Sequence, residues 1–297
     1  MMIRASDGSQ LLGRDCAFSG HTFGEFDASR FECTLFNNLT FSKISISGTS
    51  WGELAFRNGS SVKFLAIAAS AAATDKNIPS DAWFTMIWDD SEWDRVNATN
   101  WVFDASNASG RLRMKMEGKG MKVKVLPDNV FETKNVPFVG EGGMVLYGGG
   151  SLKFGAGMYQ FTGPCEIQEG VVDLSAAGAV ENACFTGPGT VSGGNLARAR
   201  IFAPAGDDWS VSAAMPTFVN CTYSGSLKID LDRTEANPLV LPKDPQPIVV
   251  GHYTGTAPSR FRVTGTGDKQ VSGFVTAKDG DILLTPSTAP GLMLLVR

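Results

Sequence analysis

Histidine is nearly absent. The 297 residues hold two, His21 and His252, neither close in sequence to a cysteine or to a second histidine, which argues against a histidine-built metal centre. Charge is also sparse: 19% of residues are charged and the net charge is -4, so the chain as a whole has no electrostatic pull on a nucleic acid. The one apolar run of note, Lys63 to Ala73, is too short for a bilayer-crossing helix, which needs about 20 residues. That run has a signal-like core and an Ala-x-Ala end, yet it lies well inside the chain and reads as an internal segment. The opening Met-Met-Ile-Arg-Ala-Ser-Asp-Gly has no apolar run behind its arginine and does not read as a secretory signal. Five cysteines (Cys16, Cys33, Cys165, Cys184 and Cys221) show neither zinc-knuckle nor redox-motif spacing, and their odd number leaves at least one thiol free. They read first as small buried hydrophobes, with a bridge between Cys165 and Cys184 as the alternative. The glycine pairs lack the flanking lysine and Ser/Thr, or the strand-to-helix setting, that cradles phosphate, and no cofactor is implied.

What is abundant is glycine, with 34 residues, and phenylalanine, with 19; together they favour many short strands joined by tight turns. A hydrophobic content of 43% argues against disorder. The organising stretch runs from Gly142 to Leu196, where apolar-alternating runs are separated by glycine turns with no room for a helix. Phe161-Thr162-Gly163-Pro164 recurs as Phe185-Thr186-Gly187-Pro188, an offset of 24, and Gly150-Ser151-Leu152-Lys153-Phe154 recurs as Gly225-Ser226-Leu227-Lys228-Ile229, an offset of 75. A period in this range is the mark of stacked coils, none of which buries its apolar face alone. The chain therefore reads as an all-β solenoid with coils of about 24 residues.

Gly150 to Phe154, Met158 to Gly163 and Gly170 to Leu174 resemble the autotransporter-associated β-strand repeat, with Met158 in place of the usual Asn and Pro164-Cys165 in place of Gly-Thr. The resemblance covers roughly residues 142–196 and implies a secreted or surface-exposed bacterial passenger built as a right-handed parallel β-helix, with no catalytic residues to carry over. Further upstream, Phe26, Phe31, Phe36, Phe41, Ile46, Trp51 and Phe56 fall every five residues. That beat matches neither the helical nor the strand period. It is similar to the pentapeptide-repeat family, although Leu39 and Leu54 occupy small-residue positions, and it implies a four-sided coil.

Four segments follow: five-residue-period coils over 1–62, an aromatic and acidic insertion over 63–110, the β-helix over 111–235, and a proline-rich transition with a small antiparallel β-cap over 236–297. The cap would close the last coil, whose edge and core would otherwise lie open. In the insertion, Trp83, Trp88, Trp93 and Trp101 lie among Asp89, Asp90, Glu92 and Asp94. Indole faces stack on sugar rings and carboxylates accept hydroxyl hydrogen bonds, so these residues are the candidate glycan contacts, with packing of the Trp residues in the core or a loop as the other reading. Arg111, Arg113 and Lys115, then Lys122 and Lys124, alternate with apolar residues on either side of the Glu117-to-Gly120 turn. They form a candidate basic face for an anionic polymer.

Gly48-Thr49-Ser50-Trp51-Gly52 has nucleophile-elbow spacing, but the residues after it are too few for the helix that motif requires. The expectation is thus a bacterial β-solenoid, secreted or at the cell surface, with a structural or adhesive role. A glycan or another cell-surface polymer is its expected partner; nucleic acid is not, and no transmembrane segment is expected. The rival readings are a polysaccharide-degrading β-helix enzyme using the insertion's carboxylates and a phage tail-fibre or tailspike component.

Overall fold

The computed structural model describes residues 83–93, 101–104, 112–204, 215–232, 246–265 and 272–287, together with short strands between residues 11 and 72. The described residues are all-β, without a helix, and almost every strand pairs in parallel with its counterpart one coil away. The fold is a parallel β-helix. From Leu112 onward each coil has three sides. Leu112–Met116, Met121–Lys124 and Val130–Lys134 make one circuit; Phe138–Gly140, Met144–Tyr147 and Ser151–Phe154 make the next. The second sides assemble an eleven-stranded sheet and the third sides a nine-stranded one. The first sides form a five-stranded sheet that ends at Tyr159–Phe161, after which Ala179–Glu181, Asn195–Ala197 and Thr222–Ser224 form a separate three-stranded sheet.

The strand period of two decides which residues enter the core. Leu112, Met114 and Met116 point inward while Arg113 and Lys115 point out, and Met121 and Val123 point inward between Lys122 and Lys124. In-register stacking then turns each inward position into a ladder, such as Met121, Met144, Cys165, Phe185, Ile201 and Ile229 on successive coils. Every side chain in that ladder is buried in the single apolar core.

Register also sets the coil length. Met121 lies beside Met144, Met144 beside Cys165 and Cys165 beside Phe185, steps of 23, 21 and 20 residues; Cys184 to Arg200 takes only 16 and Arg200 to Lys228 takes 28. The repeated motifs do not stack. Phe161 pairs with Gly140 on the first side whereas Phe185 pairs with Cys165 on the second, and Leu152 and Leu227 likewise belong to different sheets. The offset of 24 therefore joins two similar strand-turn units at different places on the circuit. Glycine recurs at the corners because adjacent coils approach there: a Cβ on Gly120, which has φ of 76°, would lie 1.7 Å from the Gly143 carbonyl oxygen.

In the amino-terminal segment, Leu11 pairs with Phe31, Phe18 with Phe36, Thr22 with Thr40 and Phe26 with Ile44, on four different sheets. These backbone steps of 18 to 20 residues over strands about five residues apart make four sides. Strand Gly52–Phe56 follows at once on Gly48-Thr49-Ser50-Trp51, where a nucleophile elbow would have its helix. At the other end, Ile248–Thr254 pairs in parallel with Thr217–Val219 on one edge and antiparallel with Asp281–Ser287 on the other, and Ser272–Lys278 completes the antiparallel part. Phe261–Gly265, expected within the cap, instead continues the parallel stack beside Leu227–Asp232.

Candidate functional site

The aromatic insertion divides between core and surface. Trp88 and Trp93 are the largest fully buried side chains among the described residues, at 0% and 1% exposure, so their indoles cannot stack on a sugar, which corrects the expectation for these two. They occupy inward positions on Phe84–Trp88 and Ser91–Trp93, successive sides of one coil. Their rings stack on each other across the corner, Phe56 lies against Trp88, and Phe103 and Phe131 meet Trp93 edge-on. Trp88 Nε1 donates to Met114 Sδ at 3.4 Å. Trp83 is half-buried on the outside, with the Arg113 guanidinium 5.5 Å from its ring centre. Asp94, Arg111 and the Trp101 side chain lie outside the described residues; the backbone of Trp101 begins a strand of the nine-stranded sheet.

Asp89 and Asp90 form a corner. Asp90 has φ of 47°, and the Asp89 carboxylate accepts the backbone N–H of Lys119 at 3.2 Å while Lys119 Nζ pairs with Asp90 at 3.1 Å. These contacts splice one corner to the next. Asp89 and Asp90 thus serve the corner itself, against Lys119 and Gly118.

The expected basic face is split. Arg113 and Lys115 project from the five-stranded sheet, Lys122 and Lys124 from the eleven-stranded one, on opposite sides of the Glu117-to-Gly120 turn. Arg113 Nε donates to Thr85 Oγ1 at 2.9 Å and Lys115 pairs with Glu117 at 2.6 Å. The two strands that flank this turn do not pair with each other, because they belong to different sheets.

What the fold does bring together is Glu92, Lys122, Lys124 and Tyr147, on the outer face of the eleven-stranded sheet. Glu92 is the Cα neighbour of Lys122 and Lys124 that of Tyr147, so register places the four on three consecutive strands. The Tyr147 hydroxyl donates a short hydrogen bond to the Glu92 carboxylate, and Lys124 Nζ stands 5.8 Å from the centre of the Tyr147 ring. The result is a half-exposed aromatic ring bracketed by an acceptor and two cations, over a dry core of Trp93, Val123 and Leu146. It can offer a flat apolar surface and both signs of charge to a ligand lying across the strands. Tyr147 was invisible as a site residue because it is 55 positions from Glu92. The alternation Met144-Val-Leu-Tyr147 before a glycine turn marks it as outward, and only the coil step reveals its neighbour.

Other reactive groups are engaged structurally. Among the described residues no three His, Cys, Asp or Glu gather as a metal site. His252 Nδ1 lies 2.8 Å from Asp281 at the parallel-to-antiparallel switch. Cys165, Cys184 and Cys221 are free and buried. Burial pushes the Cys165 thiol up to about 12, the Cys184 thiol beneath it contributing, while the neighbouring Tyr159 hydroxyl works the other way. Burial raises Cys184 and Cys221 to about 11, against the opposing pull of Arg200 on the first and of backbone hydrogen bonds with Val219 and Gly193 on the second. No helix of the described residues is long and apolar enough to cross a membrane. No family model, no curated protein and no solved structure matches the chain.

Proposed function

We propose that this chain is a surface-displayed or secreted structural rod that adheres to a glycan or another cell-surface polymer through the outer face of its eleven-stranded sheet. The observation that carries this reading is the Glu92, Lys122, Lys124 and Tyr147 cluster: a tyrosine ring, a carboxylate and two ammonium groups held in register on one sheet face. Sites built on strands keep their geometry without a ligand, which limits the ordering entropy lost on binding. The resemblance of residues 142–196 to autotransporter-associated repeats is in keeping with display at a bacterial surface.

The test is binding of the purified protein to an array of neutral and acidic glycans, with the same glycans assayed for depolymerisation. Tyr147→Ala with Glu92→Gln is expected to lower binding about tenfold or more while the protein stays folded. Depolymerisation by the wild-type protein would overturn the adhesive reading in favour of a β-helix enzyme.

A further inference from the structure

Three coils beyond Tyr147 on the same outer face, a second arrangement of side chains remains. Arg200, Lys228 and Arg262 are direct Cα neighbours on Arg200–Pro204, Leu227–Asp232 and Phe261–Gly265. Each points outward, because Ile201 and Ile229 beside them fill the core and Arg262 is exposed. Parallel strands lie about 4.8 Å apart, so the three cations form a row along the rod at that spacing. Like charges directly opposite one another on a sheet repel. The described acid beside the row is Asp230, 3.8 Å from Arg200. Arg200 is further tied down by donating to the Thr162 carbonyl at 2.6 Å. Lys228 and Arg262 have no ion pair among the described residues. Two positions along the strands, Phe202 is the Cα neighbour of Asp230 and is half-buried with its side on the outer face.

We propose that this row is a subsite for an acidic polysaccharide, lying along the rod axis across the three strands. It rests on the reading that the outer face meets surface polymers, and it adds the polymer's class. Lys228 and Arg262 would pair with carboxylate or sulfate groups on successive sugars, which advance an extended chain by about one strand spacing. Asp230 would accept from sugar hydroxyls, and the Phe202 ring would offer its face to a pyranose. A single-stranded nucleic acid fits less well. It needs stacking platforms for successive bases, whereas these strands present one ring, with a carboxylate where a phosphate would pass.

The experiment measures binding of polygalacturonate, heparin, dextran and a single-stranded oligonucleotide at several salt concentrations. The variants are Lys228→Gln/Arg262→Gln, the charge-preserving Lys228→Arg/Arg262→Lys, and Tyr147→Ala, each checked by a cooperative melt to be folded at the assay temperature. The proposal expects the two acidic polysaccharides to bind, dextran to bind weakly or not at all, and affinity to fall as salt rises. It expects the glutamine pair to lose about tenfold and to show a shallower salt dependence, and the charge-preserving pair to retain binding. Acidic polysaccharide binding untouched by the glutamine pair but lost in Tyr147→Ala would overturn this subsite while leaving the adhesive reading in place. Equal binding of dextran, or tighter binding of the oligonucleotide, would overturn the assignment of polymer class. Failure of the wild-type protein to bind any of the polysaccharides would overturn both readings.

Discussion

The indole rings of Trp88 and Trp93 lie 5.6 Å apart and 9° from parallel, stacked across a corner of the coil. They stand five positions apart in sequence, yet they belong to different sheets, and Phe56, Phe103 and Phe131 complete an aromatic plug.

Truncating this plug should be felt through the whole stack. Trp93→Ala is expected to cost about 3–5 kcal/mol, the range for large-to-small changes of a buried aromatic. Tyr147→Ala, on the outer face, should cost well under half of that. Equilibrium urea unfolding of the two variants checks the difference; equal losses would mean that the Tyr147 ring also serves the fold.

Two glycines in the same left-handed region separate backbone strain from crowding. Gly120 has φ of 76° and its added Cβ would lie 1.7 Å from the Gly143 oxygen, whereas Gly157 has φ of 72° with nothing within 4 Å. Gly157→Ala should lose only the conformational penalty, about 1–2 kcal/mol. Gly120→Ala should lose clearly more, because adjacent coils must part. Melting temperatures of the pair, measured side by side, test this.

The fold class, the strand-turn texture, the inward and outward sets between Leu112 and Val125 and the absence of an elbow helix are all legible in the sequence. Each follows from alternation or from glycine position, which act over a few residues. Coil length and site membership are not legible in that way. The Phe-Thr-Gly-Pro recurrence marks similar corners on different sides, and Arg113 parts from Lys122 because the Glu117-to-Gly120 turn is a corner of the coil and not a hairpin. The same local texture serves both, and only the closure of the circuit distinguishes them. Trp88 and Trp93 look like surface stackers beside so many acids, but inward alternation within two short strands overrides that composition.

Thiol ionisation predicts alkaline behaviour. Cys165, at about 12, and Cys184 and Cys221, at about 11, stand above the ordinary value of 9.0, so the folded state holds these protons where the unfolded chain releases them. Stability from this source is fully present below pH 9 and is lost as pH rises through the folded values. Unfolding midpoints should therefore fall between about pH 9 and 12, less steeply in Cys165→Ala once corrected for its lower baseline. Thiol-specific alkylation at neutral pH should label none of the three without denaturant.

Glu132 predicts the acid side. Burial works to raise its pKa, but hydrogen bonds and ion pairs with Lys153 at 3.1 Å and Lys134 at 3.3 Å outweigh that and hold it below 4.5. Its contribution is present above the ordinary carboxylate value and lost as pH falls through the lowered one. Glu132→Gln should lower thermal stability at neutral pH, where this contribution is present, and flatten the decline below about pH 4.5 so that variant and wild type converge in acid, as a melting series across that range would show.

Coil steps that run from 16 to 28 residues leave the axial spacing of the strands untouched, since strands of successive coils stay paired in register. The molecule therefore measures length in circuits and not in residues, like a ruler whose graduations are about 4.8 Å whatever is written beside them. The eleven strands of its longest sheet amount to ten graduations, about 50 Å. Loops can lengthen or diversify at any corner without altering the distance between the Glu92 cluster and the Arg262 row. Removing one whole circuit would draw these two surfaces together by a single graduation.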